Sequence, residues 1–308
     1  MKQRVYAALL CLVCVLMWTG TTLAGPTGNH FTNGGEGIKV ATVGPPGFYY
    51  RLYNFFYTTD TLTDRDGKKI SAADLDVFVY AQVHRPIWVT NIKILGGDWL
   101  PNVVIPVVYN DFRAGSLTDS RVSLGDCVVE PIAISWHGQQ WDAVIGLMAW
   151  LPVGHYDPNH PGGAGKGYWT GQFDVGGTYY PDKEKTWSLS WLGRYETHGK
   201  QRGHDVRLGD DFHFEWGIGK ALPATMGIGP LKAFEVGVVG YAQFQVTDDR
   251  GQDATWDKVH DQVFAVGPEI RFVIPQWKTL IEMRTNIEFG AVDRTEGIMS
   301  SLNITKAF

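Results

Sequence analysis

The chain has 308 residues, with 27 Lys and Arg against 32 Asp and Glu, and its net charge of −5 argues against a nucleic-acid surface. Hydrophobic residues make up 44%, mean hydropathy is slightly negative, and no run of about 18 apolar residues follows the N-terminal region, which excludes helical membrane spans. Only Cys127 lies beyond residue 24, so an exported chain would hold no intramolecular disulfide.

The N-terminus carries Lys2 and Arg4, an apolar run from Ala7 to Trp18 that includes Cys11 and Cys14, and then Thr22-Leu23-Ala24. This pattern predicts a secretory signal peptide over residues 1–24, cleaved after Ala24. The apolar run is too short for an anchor, which needs about 20 residues. Residues 25–47 are Gly-rich and end in the rigid corner Gly44-Pro45-Pro46-Gly47. This lead segment can plug a lumen or lie in the periplasm.

Residues 48–308 are expected to form an all-β, transmembrane, antiparallel up-and-down β-barrel of about twelve strands. The predicted strands are 48–58, 74–84, 87–96, 126–136, 141–151, 170–180, 186–197, 210–220, 231–246, 261–273, 277–290 and 297–308. With the first strand running outward, the inner turns are 84–86, 137–140, 181–185, 222–230 and 275–276. The outer loops are 60–73, 97–125, 152–169, 198–209, 247–260 and 291–296, and five of the six exceed every inner turn. Bacterial outer-membrane barrels show that asymmetry.

Side-chain parity agrees. In 277–290, Trp277, Ile281, Met283, Ile287 and Phe289 share one face, and Lys278, Glu282, Arg284, Asn286 and Glu288 the other. In 210–220, Phe212, Phe214, Trp216 and Ile218 oppose Asp211, His213 and Glu215. In 231–246, Phe234, Val236, Val238 and Phe244 oppose Glu235 and Gln243, and in 186–197, Trp187, Leu189, Trp191 and Tyr195 oppose Ser188, Ser190, Arg194 and Glu196. A charge facing lipid at mid-depth costs about 2–4 kcal/mol, so the apolar face is assigned to hydrocarbon and the ionic face to the lumen. The candidate lumen-lining residues are Arg194, Glu196, His213, Glu215, Glu235, Glu269, Arg271, Glu282, Arg284 and Glu288. Parity flips near Glu130-Pro131, which predicts a bulge. Residues 97–120 either extend the third strand beyond the membrane or fold back into the lumen. Trp136, Trp141, Trp187 and Trp277 sit near strand ends, as in an interfacial aromatic girdle. Ile298, Leu302, Ile304 and the terminal Phe308 share a parity, the kind of ending that the outer-membrane assembly machinery reads.

Motifs for chemistry are sparse. Gly162–Gly167 lacks the spacing and the Ser or Thr of a phosphate loop, and His155, Asp157 and His160 read as a polar loop rather than a metal site. Ser135 and His137 would share a strand face but lie at the periplasmic end, the wrong leaflet for an outer-membrane lipid hydrolase.

Several stretches resemble a family of outer-membrane proteins linked to the phenol-degradation meta-pathway. They are Gly44-Pro45-Pro46-Gly47-Phe48-Tyr49, Ile94-Leu95-Gly96-Gly97, Trp136-His137, Leu151 through Asp157, Gly240-Tyr241 with Gln243, and Gly267-Pro268-Glu269. Val153 stands where Thr is expected, and His155 inserts a ring before Tyr156-Asp157. The resemblance implies a bacterial outer-membrane barrel that passively passes small hydrophobic or aromatic compounds, and it supplies no catalytic residues. No cofactor or metal is implied, and the expected partners are lipid, the solute and the assembly machinery. A lipid hydrolase and a structural barrel with a filled lumen are the alternatives.

Overall fold

The computed structural model describes residues 28–70, 74–158, 160, 162–223, 232–254 and 258–308. The expected signal peptide lies outside them, as does most of the expected turn at 222–230. Among the described residues no helix is long and apolar enough to cross a membrane. The chain instead forms one antiparallel sheet closed on itself.

In chain order the strands are β1 (Gly47–Leu62), β2 (Leu75–Val89), β3 (Lys93–Ile94), β4 (Gly97–Trp99), β5 (Asn102–Ala114), β6 (Leu117–Leu124), β7 (Cys127–His137), β8 (Trp141–Leu151), β9 (Thr170–Tyr179) and β10 (Trp187–His198). They continue with β11 (Asp211–Ala221), β12 (Lys232–Gln245), β13 (Gln262–Ile274), β14 (Thr279–Val292) and β15 (Thr295–Ala307). Twelve are staves of a closed barrel: β1, β2, β5 and β7 through β15. Closure comes from β15 pairing with β1, where Tyr49 faces Ala307 and Tyr57 faces Met299. The backbone N–H of Phe308 donates to the Phe48 carbonyl at 3.0 Å, which fastens the C-terminus beside the first strand.

The third stave differs from the expected one. The expected turn at His84-Arg85-Pro86 does not exist, because β2 runs through it in unbroken register with β1, with Pro86 opposite Tyr50. Proline can enter a strand where its missing N–H faces a gap in the ladder. Here the β2–β5 ladder steps from His84–Ile105 to Ile87–Asn102 without pairing Pro86. Residues 87–96 are therefore not a stave. Ile94-Leu95-Gly96-Gly97 turns the small β3–β4 hairpin, with Leu95 at φ 50° and Gly96 at φ 82°. Residues 97–125 are not one outer loop, and 97–120 neither extends strand three nor folds back into the lumen. They contain stave β5 and the strand β6, which continues β5's outer pairing beyond β7.

The predicted bulge at Pro131 is present as a register shift between Val129 and Ile132 against β8. The connections at 63–74, 152–169, 199–210 and 246–261 all lie at the end opposite the C-terminus, called here the long-loop end. The terminal end carries the short turns 138–140 and 275–278.

The barrel is inverted relative to a soluble sandwich. Outward Phe56, Leu147, Ile287 and Phe289 are 41–56% exposed, whereas Glu196, Asp211, His213, Glu215 and Gln243 are fully buried inside. Trp88, Trp141, Trp187 and Trp277 lie exposed at the terminal end, where indoles suit a membrane interface. Val238 lies mid-strand, opposite Ile218 and Pro268, and Val246 follows the end of β12. Val238→Arg is expected to cost about 2–4 kcal/mol and Val246→Arg about 0–1 kcal/mol, as read by denaturant titration of the barrel in lipid vesicles.

Candidate functional site

The described part of the lead segment, residues 28–46, runs inside the barrel from the long-loop end to the terminal end. A strand of backbone that pairs with no sheet must have its polar groups met by side chains. Side chains of β10, β11, β13 and β14 meet most of them, and Asn303 on β15, Lys166, Tyr168 and Tyr49 meet others. Glu196 accepts the backbone N–H groups of His30 and Phe31 at 2.8 and 2.9 Å. Glu215 accepts those of Gly34 and Glu36, and Glu269 that of Ile38. Arg284 donates to the Gly34 and Gly35 carbonyls, and Arg271 to the Ile38 carbonyl at 2.8 Å. His213 bonds Asn33, Lys39 pairs with Glu235, and Thr42 bonds Asp142. Arg194 lies 3.7 Å from the Phe31 ring centroid and pairs with Glu215 at 2.6 Å.

Close approach of the segment to the wall needs glycine at Gly37 and at Gly217. A Cβ on Gly37 would sit 1.7 Å from Glu269 Oε2, and one on Gly217 would sit 2.7 Å from the Gly37 carbonyl oxygen.

The ten candidate lumen residues all face inward, and Arg194, Arg271, Glu282 and Glu288 also line a cavity beside the lead segment. Eight touch the lead segment directly. The other two serve the wall: Glu282 pairs with Arg51, and Glu288 accepts the Tyr57 and Tyr241 hydroxyls.

The opposite half of the lumen is apolar. Inward positions there are Tyr53, Phe55 and Tyr57 on β1, Val77 and Val79 on β2 and Val108 on β5, which form one cluster with Met299. Toward the terminal end Val89, Leu100 and Ala133 form a second cluster, flanked by Val43, Tyr49 and Ile87. A cavity of about 820 Å³ lies between this wall and the lead segment. It is crossed by a charged belt of Arg51, Arg85, Glu36 and Glu130. The lumen is thus two-faced, ionic beside β10 to β14 and apolar along β1, β2 and β5. Alternation locates which residues face inward but says nothing of what they must face.

The remaining motifs do not gather into centres. His137 Nδ1 bonds Asp142 at 3.0 Å, and Ser135 Oγ makes no hydrogen bond, so the two form no catalytic pair. His160 approaches Asp119 and Asp157 only at 3.8 and 4.0 Å. The Gly162–Gly167 stretch packs on the wall instead, with Gly162 N–H donating to Asp119 and Lys166 N–H to Asp126. Burial pushes the Lys166 ammonium down to about 8, against the pull of Glu196, Asp211, Asp261 and Asp126. A trio missed in the sequence is Glu196, His198 and Asp211, close enough to share a metal ion. Both His198 nitrogens are already engaged, by Thr170 at 2.7 Å and Asp211 at 3.0 Å, so the trio works as a hydrogen-bonded anchor beside His30. The i, i+2 spacing of Glu196 and His198 was its one sequence signal.

These features define a transmembrane antiparallel β-barrel whose lumen holds a fixed internal segment beside an apolar cavity. The chain belongs to the family described as "Putative MetA-pathway of phenol degradation", whose model matches residues 59–304. No relative is found among curated proteins. Among solved structures, the fold matches the COG4313 outer membrane channel from Pseudomonas putida F1 with a TM-score of 0.72 and 11% identity, over 91% of this chain and 100% of that one. Lower similarity is found to the β domain of the Bordetella autotransporter BrkA, at TM-score 0.46 and 10% identity over 85% of this chain and 100% of that one. The TodX monoaromatic hydrocarbon channel gives 0.37 and 13%, over 94% of this chain and 99% of that one.

The anchoring of the lead segment can be loosened at one point. Glu215→Ala removes the acceptor of two lead-segment N–H groups and the nearer carboxylate partner of Arg194, and breaking such a buried pair costs about 3–5 kcal/mol. In a Cys127→Ala, Val40→Cys background, Glu215→Ala is expected to speed labelling of the introduced thiol at least tenfold. Mass spectrometry after a membrane-impermeant maleimide pulse measures it.

Proposed function

We propose that this protein is a bacterial outer-membrane channel for passive uptake of small hydrophobic compounds, aromatic ones among them. In this reading residues 1–24 direct export and are cleaved, and the strand ending in Phe308 carries the signal for the assembly machinery. The lead segment is a plug that closes the lumen to large or hydrophilic solutes. The observation that carries the proposal is the apolar wall of Tyr53, Phe55, Val79 and Val108 beside a cavity of about 820 Å³. A path for ions or sugars has no use for such a wall, and a purely structural barrel has no use for the cavity.

The energetics suit transit rather than storage. Covering about 100 Å² of a ring's apolar surface yields about 2.5 kcal/mol. That is less than a hundredfold preference over water, so a solute enters readily and still leaves.

The test uses cells with intact lipopolysaccharide, because hydrocarbons cross a plain phospholipid bilayer unaided. The wild-type protein is expected to raise the initial uptake of labelled toluene at least fivefold over cells without it. Val79→Asn with Val108→Asn should abolish most of that gain while the barrel still migrates as a folded band. Equal uptake with and without the protein would discard the channel reading. Deleting residues 28–44 should open the lumen to sugars in liposome swelling, and unchanged permeability would discard the plug.

A further inference from the structure

The charged belt is out of place in an apolar channel, and its arrangement has a direction. Arg51 on β1 and Arg85 on β2 are opposite each other in register and both face the cavity. Each keeps an acid fixed on the wall. Arg51 pairs with Glu282 at 2.8 Å, and Arg85 pairs with Glu130 at 3.0 Å while donating to Asn102 at 2.9 Å. Between them sits a third carboxylate, and the lead segment carries it. Glu36 lies 3.0 Å from Arg51 and 3.6 Å from Arg85, and it accepts the Tyr53 hydroxyl at 2.7 Å.

Three observations make this a subsite rather than packing. First, the position is open: the Arg51, Arg85 and Glu36 side chains keep 15%, 23% and 12% of their surface accessible, unlike Arg284 at 0%. Second, Arg51 Nε is buried without a hydrogen-bond partner, so the guanidinium fork has unused donor capacity toward a carboxylate. Third, the place is amphipathic. Tyr53 and Phe55 stack at 5.6 Å immediately beyond the belt, with Val79 in the same cluster.

The charge pattern selects the sign of the ligand. On the wall, Arg51, Arg85, Arg271 and Arg284 face Glu130, Glu235, Glu269 and Glu282, and the lead segment adds Glu36 and Lys39. An incoming carboxylate can take the place of the Glu36 carboxylate between the two guanidiniums. An incoming cation would have to displace an arginine from acids fixed on the wall.

We infer that the gap between Arg51 and Arg85 is a carboxylate-binding subsite for small amphipathic monocarboxylates, and that Glu36 occupies it as a tethered competitor. The carboxylate sits between the two guanidiniums, and the ring or short alkyl body lies against Phe55 and Val79. This rests on the channel reading and narrows it: neutral hydrocarbons pass the belt, while hydrophobic acids are held at it.

The test is equilibrium binding to the full mature barrel in nanodiscs, with empty nanodiscs as the control. The probes are 4-butylbenzoate and its near-isosteric neutral partner 4-butylbenzamide. Wild type should bind the benzoate at least tenfold tighter than the amide. Glu36→Gln should tighten the benzoate at least fivefold and leave the amide unchanged, a gain that damage to the fold cannot produce. Arg51→Gln should remove the preference for the acid. Equal binding of the two probes to wild type, or benzoate binding that Glu36→Gln weakens or leaves unchanged, overturns the subsite. If the amide binds and the acid binds no tighter, the subsite fails and the channel reading stands. If neither probe binds, both fail.

Discussion

Everything inside this barrel depends on how the polar backbone of residues 28–46 is satisfied. Hydrocarbon outside forces the strands into a closed ladder with no free edge. A ring of twelve staves is wider than side chains alone can fill, since eight already come close to the limit. The vacancy is taken by a segment that makes no ladder of its own. Its N–H groups go to Glu196, Glu215 and Glu269, and its carbonyls to Arg271 and Arg284. Those side chains are acceptable at such depth only because the segment and one another complete their bonding. Segment and ionic wall are therefore one structure: removing either leaves the other with buried, unmatched charge or amide.

That mutual satisfaction accounts for the division of the lumen. All of the segment's carboxylate and guanidinium anchors to N–H and carbonyl groups come from β10 to β14, so the segment leans to one side. The facing staves β1 and β2 meet the segment through Tyr49, Arg51, Tyr53 and Arg85, and the other inward positions of β1, β2 and β5 carry Phe55, Tyr57, Val77, Val79 and Val108. The apolar wall lies across the lumen from the flank that supplies most of the segment's backbone anchors.

The same division explains which parts of the structure could be read from the sequence. Lipid punishes charge on one face, so strands with an ionic lumen face, such as β11 and β14, alternate cleanly and were placed within a residue or two. The Pro131 bulge was visible because parity breaks there. Stave β5 was missed because Val103 through Val108 is apolar on both faces and shows no period of two. Pro86 then looked like a turn, since only the neighbouring ladder reveals that its absent N–H has no partner to lose. The ionic lumen residues were legible one by one, but their task was not. Glu36 sits in a Gly-rich stretch without periodicity, and nothing local marks it as the group that meets Arg51 and Arg85.

A charged belt across an apolar cavity would ordinarily resist being parted, because separating a buried ion pair exposes two unmatched charges. The partners here are arranged to avoid that. If Glu36 moves aside, Arg51 retains Glu282 and Arg85 retains Glu130 and Asn102, all on the wall. The arginines lose a shared third partner rather than their principal ones. The remaining charge is Glu36 itself, which rides on a backbone whose flanking N–H and carbonyl groups are fixed to the opposite wall at Glu215, Glu269 and Arg284. Displacing Glu36 therefore asks for movement of one side chain and not of the anchored backbone. In the channel proposed above, a solute would pass the belt by shifting a single carboxylate, while the ladder and the anchored segment stay as they are.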